Sequence, residues 1–174
     1  MNSTIEIYYR LRDEVDRKAA VLERLHADWM ACKKGCSSCC LDLTVWPVEF
    51  YAILGEMKAA GLSLESINPD KPCGYLDDSD ACMIYPFRPI ICRTHGLPLV
   101  YWQEDHDPPE YGIVFCEKNF KAAEQIEFTA VNTLNMEEVN EKLARINLVF
   151  LDELKDPTLT PESRIELRKL LDYL

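Results

Sequence analysis

Apolar residues recur over the first thirty positions at steps of three, four or seven: Tyr8, Leu11, Val15, Leu22, Leu25 and Trp29. That spacing puts them on one side of a 3.6-residue-per-turn helix. No proline or glycine interrupts the stretch. One long amphipathic helix is therefore predicted over residues 4–30, with Thr4 as its N-cap. A second stripe, Met136, Val139, Leu143, Ile146, Phe150 and Leu154, predicts another helix. Asn135 with Glu138 three residues later reads as a capping box at its start. Asp156-Pro157 stops it, because the residue before a proline avoids helical angles. A last helix is expected from Thr160 (cap) and Pro161 (first turn), presenting Ile165, Leu167, Leu170, Leu171 and Leu174.

The middle of the chain lacks this regularity. Pro47 to Ala60 suits a short helix, with Pro47 in its first turn and Gly61 just past its end. Leu97 to Trp102 and Tyr111 to Cys116 are apolar runs around the polar loop QEDHDPPE, which suits a β-hairpin with a long connection. The expected fold class is mainly α: a long N-terminal helix, an irregular cysteine-rich core stapled by metal, with a short β-hairpin, and a helical C-terminal part. At 174 residues the chain suits a single domain, 1–174. Its cysteine-cluster core spans about 32–116, between helical flanks 4–31 and 118–174.

Charge narrows the function. There are 30 acidic and 19 basic residues, a formal net charge of −11. Nucleic acids and anionic membranes require a basic footprint, so neither is an expected partner. No apolar run is long enough to span a membrane. The opening MNSTIEIYYRLRDEVDRKAA lacks the basic-then-apolar order of a signal peptide. A reducing cytoplasm is the expected compartment. Disulfides are rare there, and clustered cysteines more often bind metal or do redox chemistry.

The eight cysteines then become the candidate chemistry. Cys32, Cys36, Cys39 and Cys40 form C-x3-C-x2-C-C; Cys73, Cys82, Cys92 and Cys116 follow. Short loops containing Gly and Ser let sulfurs converge, as metal–thiolate sites require. Adjacent side chains diverge, so Cys39 and Cys40 more naturally serve different metals. Eight thiolates suffice for two sites of four. Zinc and iron–sulfur clusters both accept four thiolates, and ligand softness does not separate them. Buried free thiols are the bland alternative, which four cysteines within nine residues disfavour. Cys32, Cys36 and Cys39 also match the radical-SAM spacing, but a long helix precedes them where a (β/α) barrel would be needed. No βαβ pattern surrounds Cys36-Ser-Ser-Cys39, which weakens a dithiol redox reading.

The segment CKKGCSSCC, followed by PCGYLDDSDACMIYPFRPIICR, resembles the CxxCxxCC (YkgJ-like) family of zinc- or iron-chelating domains. The shared pieces are the cluster at 32–40, Cys73 before an aromatic-Leu pair, Cys82-Met-Ile-Tyr85, Arg88-Pro89 and Cys92-Arg93. The resemblance covers about residues 32–96, with Cys116 as a further element. It implies metal chelation by eight cysteines. Some relatives are linked to protein lysine N-methylation, for example of flagellin, which implies a metal- or cluster-dependent enzyme as an alternative. Three residues separate Cys32 from Cys36 where the family name implies two, so Cys32 is the ligand least supported by the resemblance.

Other candidates have bland readings beside them. His95 lies three residues after Cys92 and could ligate, but with eight cysteines available a hydrogen-bonded histidine is favoured. His26 is expected on a polar helix face and His106 in an acidic loop. Arg88 and Arg93 flank Cys92 and would offset a tetrathiolate zinc site of net charge about −2. Asp77, Asp78 and Asp80 read as a solvated turn, since the spacing of a calcium loop is missing. The leading expectation is a metal-binding cysteine-cluster protein. Besides the enzyme, a metal-stapled interaction module is the other alternative, its protein partner met through the C-terminal helices.

Overall fold

The first helix, α1, runs over Asn2–Leu25 in the computed structural model, which describes all residues except Met1, Lys34, Glu65 and Ala122, and omits the side chains of Asn2 and Ala123. Its apolar stripe is buried at Tyr8, Leu11, Val15, Ala19 and Leu22. The stripe ends there: Leu25 is exposed, and the chain tightens into a 3₁₀ turn, Ala27–Trp29. Thr4 lies within the helix instead of capping it. Its buried hydroxyl donates to Glu153 Oε1 at 2.6 Å and pins the start of α1 to the end of a later helix.

Strand β1 (Thr44–Val45) leads into α2 (Pro47–Ala59). This helix is apolar nearly all round, the mark of a helix covered on every side. Val48 and Ala52 pack into one core with the α1 stripe; Phe50, Ile53, Leu54 and Met57 pack into a second. The Val48 amide is satisfied from outside, donating to Asn147 Oδ1 at 3.1 Å. Gly61, with φ +63, lets the chain turn away just beyond the far end. Arg12 of α1 grips Glu56 of α2 through two bonds of 2.5 and 2.7 Å.

After an irregular stretch come α3 (Ile90–Thr94), the antiparallel pair β2 (Leu99–Gln103) and β3 (Glu110–Val114), and β4 (Leu134–Asn135), parallel to β2. The hairpin runs in register from Leu99 opposite Val114 to Gln103 opposite Glu110. The last long helix, α4 (Met136–Leu154), starts where the capping box predicts. The Asn135 side chain accepts from the Glu137 and Glu138 amides, and Lys155 closes the helix in the left-handed conformation.

The C-terminal part departs from expectation. Residues 160–174 form no α-helix: β5 (Ile165–Glu166) pairs antiparallel with β1, and Leu167–Tyr173 is a 3₁₀ helix. Leu167 and Leu170, three apart, are both buried, and a three-residue period keeps them on one side. The Tyr75 hydroxyl donates to the Leu167 carbonyl at 3.0 Å, and the Leu167 amide donates to the Leu43 carbonyl at 2.8 Å. Tertiary partners thus take the backbone groups that local propensity would have spent on a helix. Among the described residues, the stretch between Cys116 and Leu134 also holds no α-helix. The chain is about 45% helical, with two small sheets among the described residues: a mixed α/β fold, not strictly mainly α but broadly compatible with that expectation. No described helix is long and apolar enough to cross a membrane.

Candidate metal centre

Three irregular segments carry the cysteines, and identifiable contacts bring them together. Asp42, two residues after Cys40, clamps the first segment to the second: its amide donates to the Pro72 carbonyl at 2.8 Å, and its Oδ1 accepts from the Gly74 amide at 3.0 Å. Cys73 is thereby carried to Cys40. Asp77 builds the next turn, its Oδ1 accepting from the Ser79 and Ala81 amides. That turn closes with Leu76 bridged to Cys82. The acidic run is thus a turn, as expected, and Asp80 pairs with Lys71 at 2.6 Å. Cys92 sits in α3, whose first amide, Ile90, donates to the buried Glu49 of α2 at 3.1 Å. At the other end the Phe120 amide donates to the Trp29 carbonyl at 2.9 Å. Cys116 is thus returned to the segment of Cys32.

All eight cysteines are free thiols; Cys32 is exposed and the others are half-buried. Their mutual influence sorts them. Burial raises the Cys32 thiol, and Cys116, Cys36 and Cys39 are near enough to raise it further. Cys40 is raised by its hydrogen bond with Cys39, then by burial, with Cys73 and Cys92 also close. Burial pushes Cys92 up to about 12, with Cys73 and Cys82 adding to it. Burial likewise raises Cys73 and Cys82. Cys39 is held low, by the Cys40 thiol first and by His95 second. Cys32 thus has Cys36, Cys39 and Cys116 near it, while Cys40 has Cys73 and Cys92 near it, and Cys73 and Cys82 lie near Cys92. Among the described residues, no three Cys, His, Asp or Glu side chains converge tightly enough to hold a metal as they stand. The donor set itself, eight undisulfided soft sulfurs, suits zinc or iron.

The flanking arginines divide. Arg88 stacks over the Tyr85 ring at 3.5 Å, donates to the Cys92 carbonyl at 3.2 Å, and favours the thiolates of Cys82 and Cys92. Arg93 instead ties Asp16 at 2.7 Å and the carbonyls of Arg88 and Pro86, a brace between α1 and the loop. His106 pairs with Glu110 in the hairpin loop. His26 is not on a polar helix face: it is buried past the end of α1, bonded to the Asn132 carbonyl at 2.7 Å and packed against Phe120 and Phe128. His95, bland from the sequence, contacts Cys39. Asn119 and Gly96 escape sequence reading altogether, although both meet Cys32. The available signal was Gly96 directly following His95 within the cysteine-rich stretch. A cavity of about 670 Å³ between α1, α4 and the hairpin is lined by residues such as Leu11, Val15, Ile113 and Val139, and by no cysteine.

Residues 31–111 match a family model described as "CxxCxxCC: Putative zinc- or iron-chelating domain". That segment belongs to the CxxCxxCC family. Seven of the eight cysteines fall inside the match, and Cys116 lies beyond it. The fold brings that eighth cysteine back near Cys32. No curated protein and no solved structure matches the chain.

Proposed function

We propose that this chain is a chelating protein with two four-thiolate metal centres, one of Cys32, Cys36, Cys39 and Cys116, the other of Cys40, Cys73, Cys82 and Cys92. What supports the reading is that Cys32 has Cys36, Cys39 and Cys116 near it, whereas Cys40 and Cys92 have Cys73 near them and Cys92 also Cys82. Metal binding releases the thiol protons that burial retains, and the binding energy becomes folding energy for loops with little regular structure. Zinc would supply a closed tetrahedral staple, and an iron–sulfur cluster would add electron transfer. Arg88 offsets the negative charge of the second centre.

The test is metal and sulfide analysis of protein purified without air, together with Cys39→Ser and Cys40→Ser. The proposal expects both variants to lose metal, each from a different centre. Native protein with eight reactive thiols, or a single metal bound by both members of the doublet, would overturn it.

A further inference from the structure

Cys32 is the most exposed of the thiols and the one whose spacing departs from the family pattern. Its position comes from elsewhere in the chain. Asn119 is 1% exposed. Its Oδ1 accepts from the Ala31 amide at 2.7 Å and from the Cys32 thiol at 3.6 Å; its Nδ2 donates to the Gly96 carbonyl at 2.7 Å and to Cys32 Sγ at 3.2 Å. A flipped amide would set donor against donor at Ala31 and acceptor against acceptor at Gly96. Only one orientation satisfies both backbone groups, and that orientation aims an N–H at the sulfur. On the opposite side Gly96 adopts φ +93, and a Cβ there would lie 2.9 Å from Cys32 Sγ and 3.2 Å from Asn119 Nδ2. A side chain has no room at that position.

We infer that Asn119 is a positioning residue for the first centre, fixing Cys32 through an N–H to sulfur bond, with Gly96 supplying the space. The inference rests on the two-centre reading above. An N–H held on a sulfur by two backbone anchors fixes where that sulfur points, which is what an outer partner of a metal ligand does. Outer partners of this kind typically change metal affinity about 10–100-fold. The residue responsible lies outside the matched segment, so the first centre is completed by this chain's own C-terminal extension of the domain, through both Cys116 and Asn119.

The test uses the metal-loaded full chain, with metal per chain and release to a chromogenic chelator as readouts, and circular dichroism to confirm folding. Asn119→Asp keeps the acceptor for Ala31 and replaces the N–H with an oxygen. It should speed release from one centre about 10–100-fold and leave the other unchanged. In a Cys32→Ser background the same substitution should change metal release far less, since only the lost Gly96 contact then remains. An equal effect with and without Cys32, loss from both centres, or unaltered release would overturn the inference. Gly96→Ala, which crowds Cys32 without removing the amide, should reproduce the selective loss should Asn119→Asp fail to fold; full retention of both metals there would count against it. If Cys32→Ser itself retains all metal, the two-centre reading has failed and the inference falls with it. A selective loss in Cys32→Ser alone leaves that reading standing and refutes only the role of Asn119.

Discussion

Glu49 is 3% exposed on the inner face of α2, between the two apolar cores. Burial raises its carboxyl to about 7, against the lowering effect of the Ile90 and Trp46 amides and the Tyr8 hydroxyl. Arg164 also lowers it, and Cys92 is the thiol it influences across α3. A carboxyl whose folded pKa exceeds its unfolded value holds its proton more tightly when folded. Stability therefore falls as pH rises from about 4.5 to about 7 and is flat above, by about 3 kcal/mol in all. Glu49→Gln keeps a carbonyl acceptor and removes the titration. Subtracting the variant's profile of urea midpoint against pH from the native one cancels the metal's own pH dependence. The remainder should slope downward over that window, and a level difference would show that Glu49 does not titrate there. At this scale the sequence is mute: a Glu in the first turn of a helix looks like ordinary dipole pairing. Only its neighbours make it a buried acid.

The elements were legible in proportion to how local their causes are. α4 follows its stripe and its capping box, and α2 follows Pro47 and Gly61, because both signals lie within a few residues of the structure they specify. The hairpin follows its two apolar runs. Thr160 to Leu174 carries equally good helix signals, yet β1 and Tyr75 capture its backbone. The segment is consequently a structural clamp on the second core, where Leu167 and Leu170 meet Val45, Phe50 and Met57. Truncation after Asp156 should destabilise the fold by about 3–6 kcal/mol for the two buried leucines alone. Thermal unfolding of the truncated chain measures this. A truncation of unchanged stability and solution mass would remove both the packing role and the partner surface expected of this region.

Over the whole molecule, the cysteine segments join elements that are far apart in the chain: α1 to the Cys116 strand end, and the approach to α2 to the 73–92 loops. The helices α1 and α4 bury stripes against each other and against α2, and Thr4 and Glu153 tie their ends. The described residues of 62–96 hold one short α-helix and one 3₁₀ turn, anchored mainly by Tyr75, Leu76, Ile84 and Ile90. Anaerobic metal removal should therefore leave most helical circular dichroism while residues 62–96 become open to proteases. Equal protection of that stretch with and without metal would contradict the metal's role in holding it.

The sequence by itself determined that the chain carries a cysteine cluster with a CxxCxxCC-type segment, and where α1, α2 and α4 run, since these depend on composition, short spacing and local helix signals. Tertiary structure decided that Cys116 keeps company with Cys32 and Cys40 with Cys73, that Asn119 and Gly96 flank a sulfur, and that the last fifteen residues become a strand and a 3₁₀ helix. Each of these depends on groups tens of residues apart competing for the same backbone bonds and the same space. A local pattern carries no record of that competition.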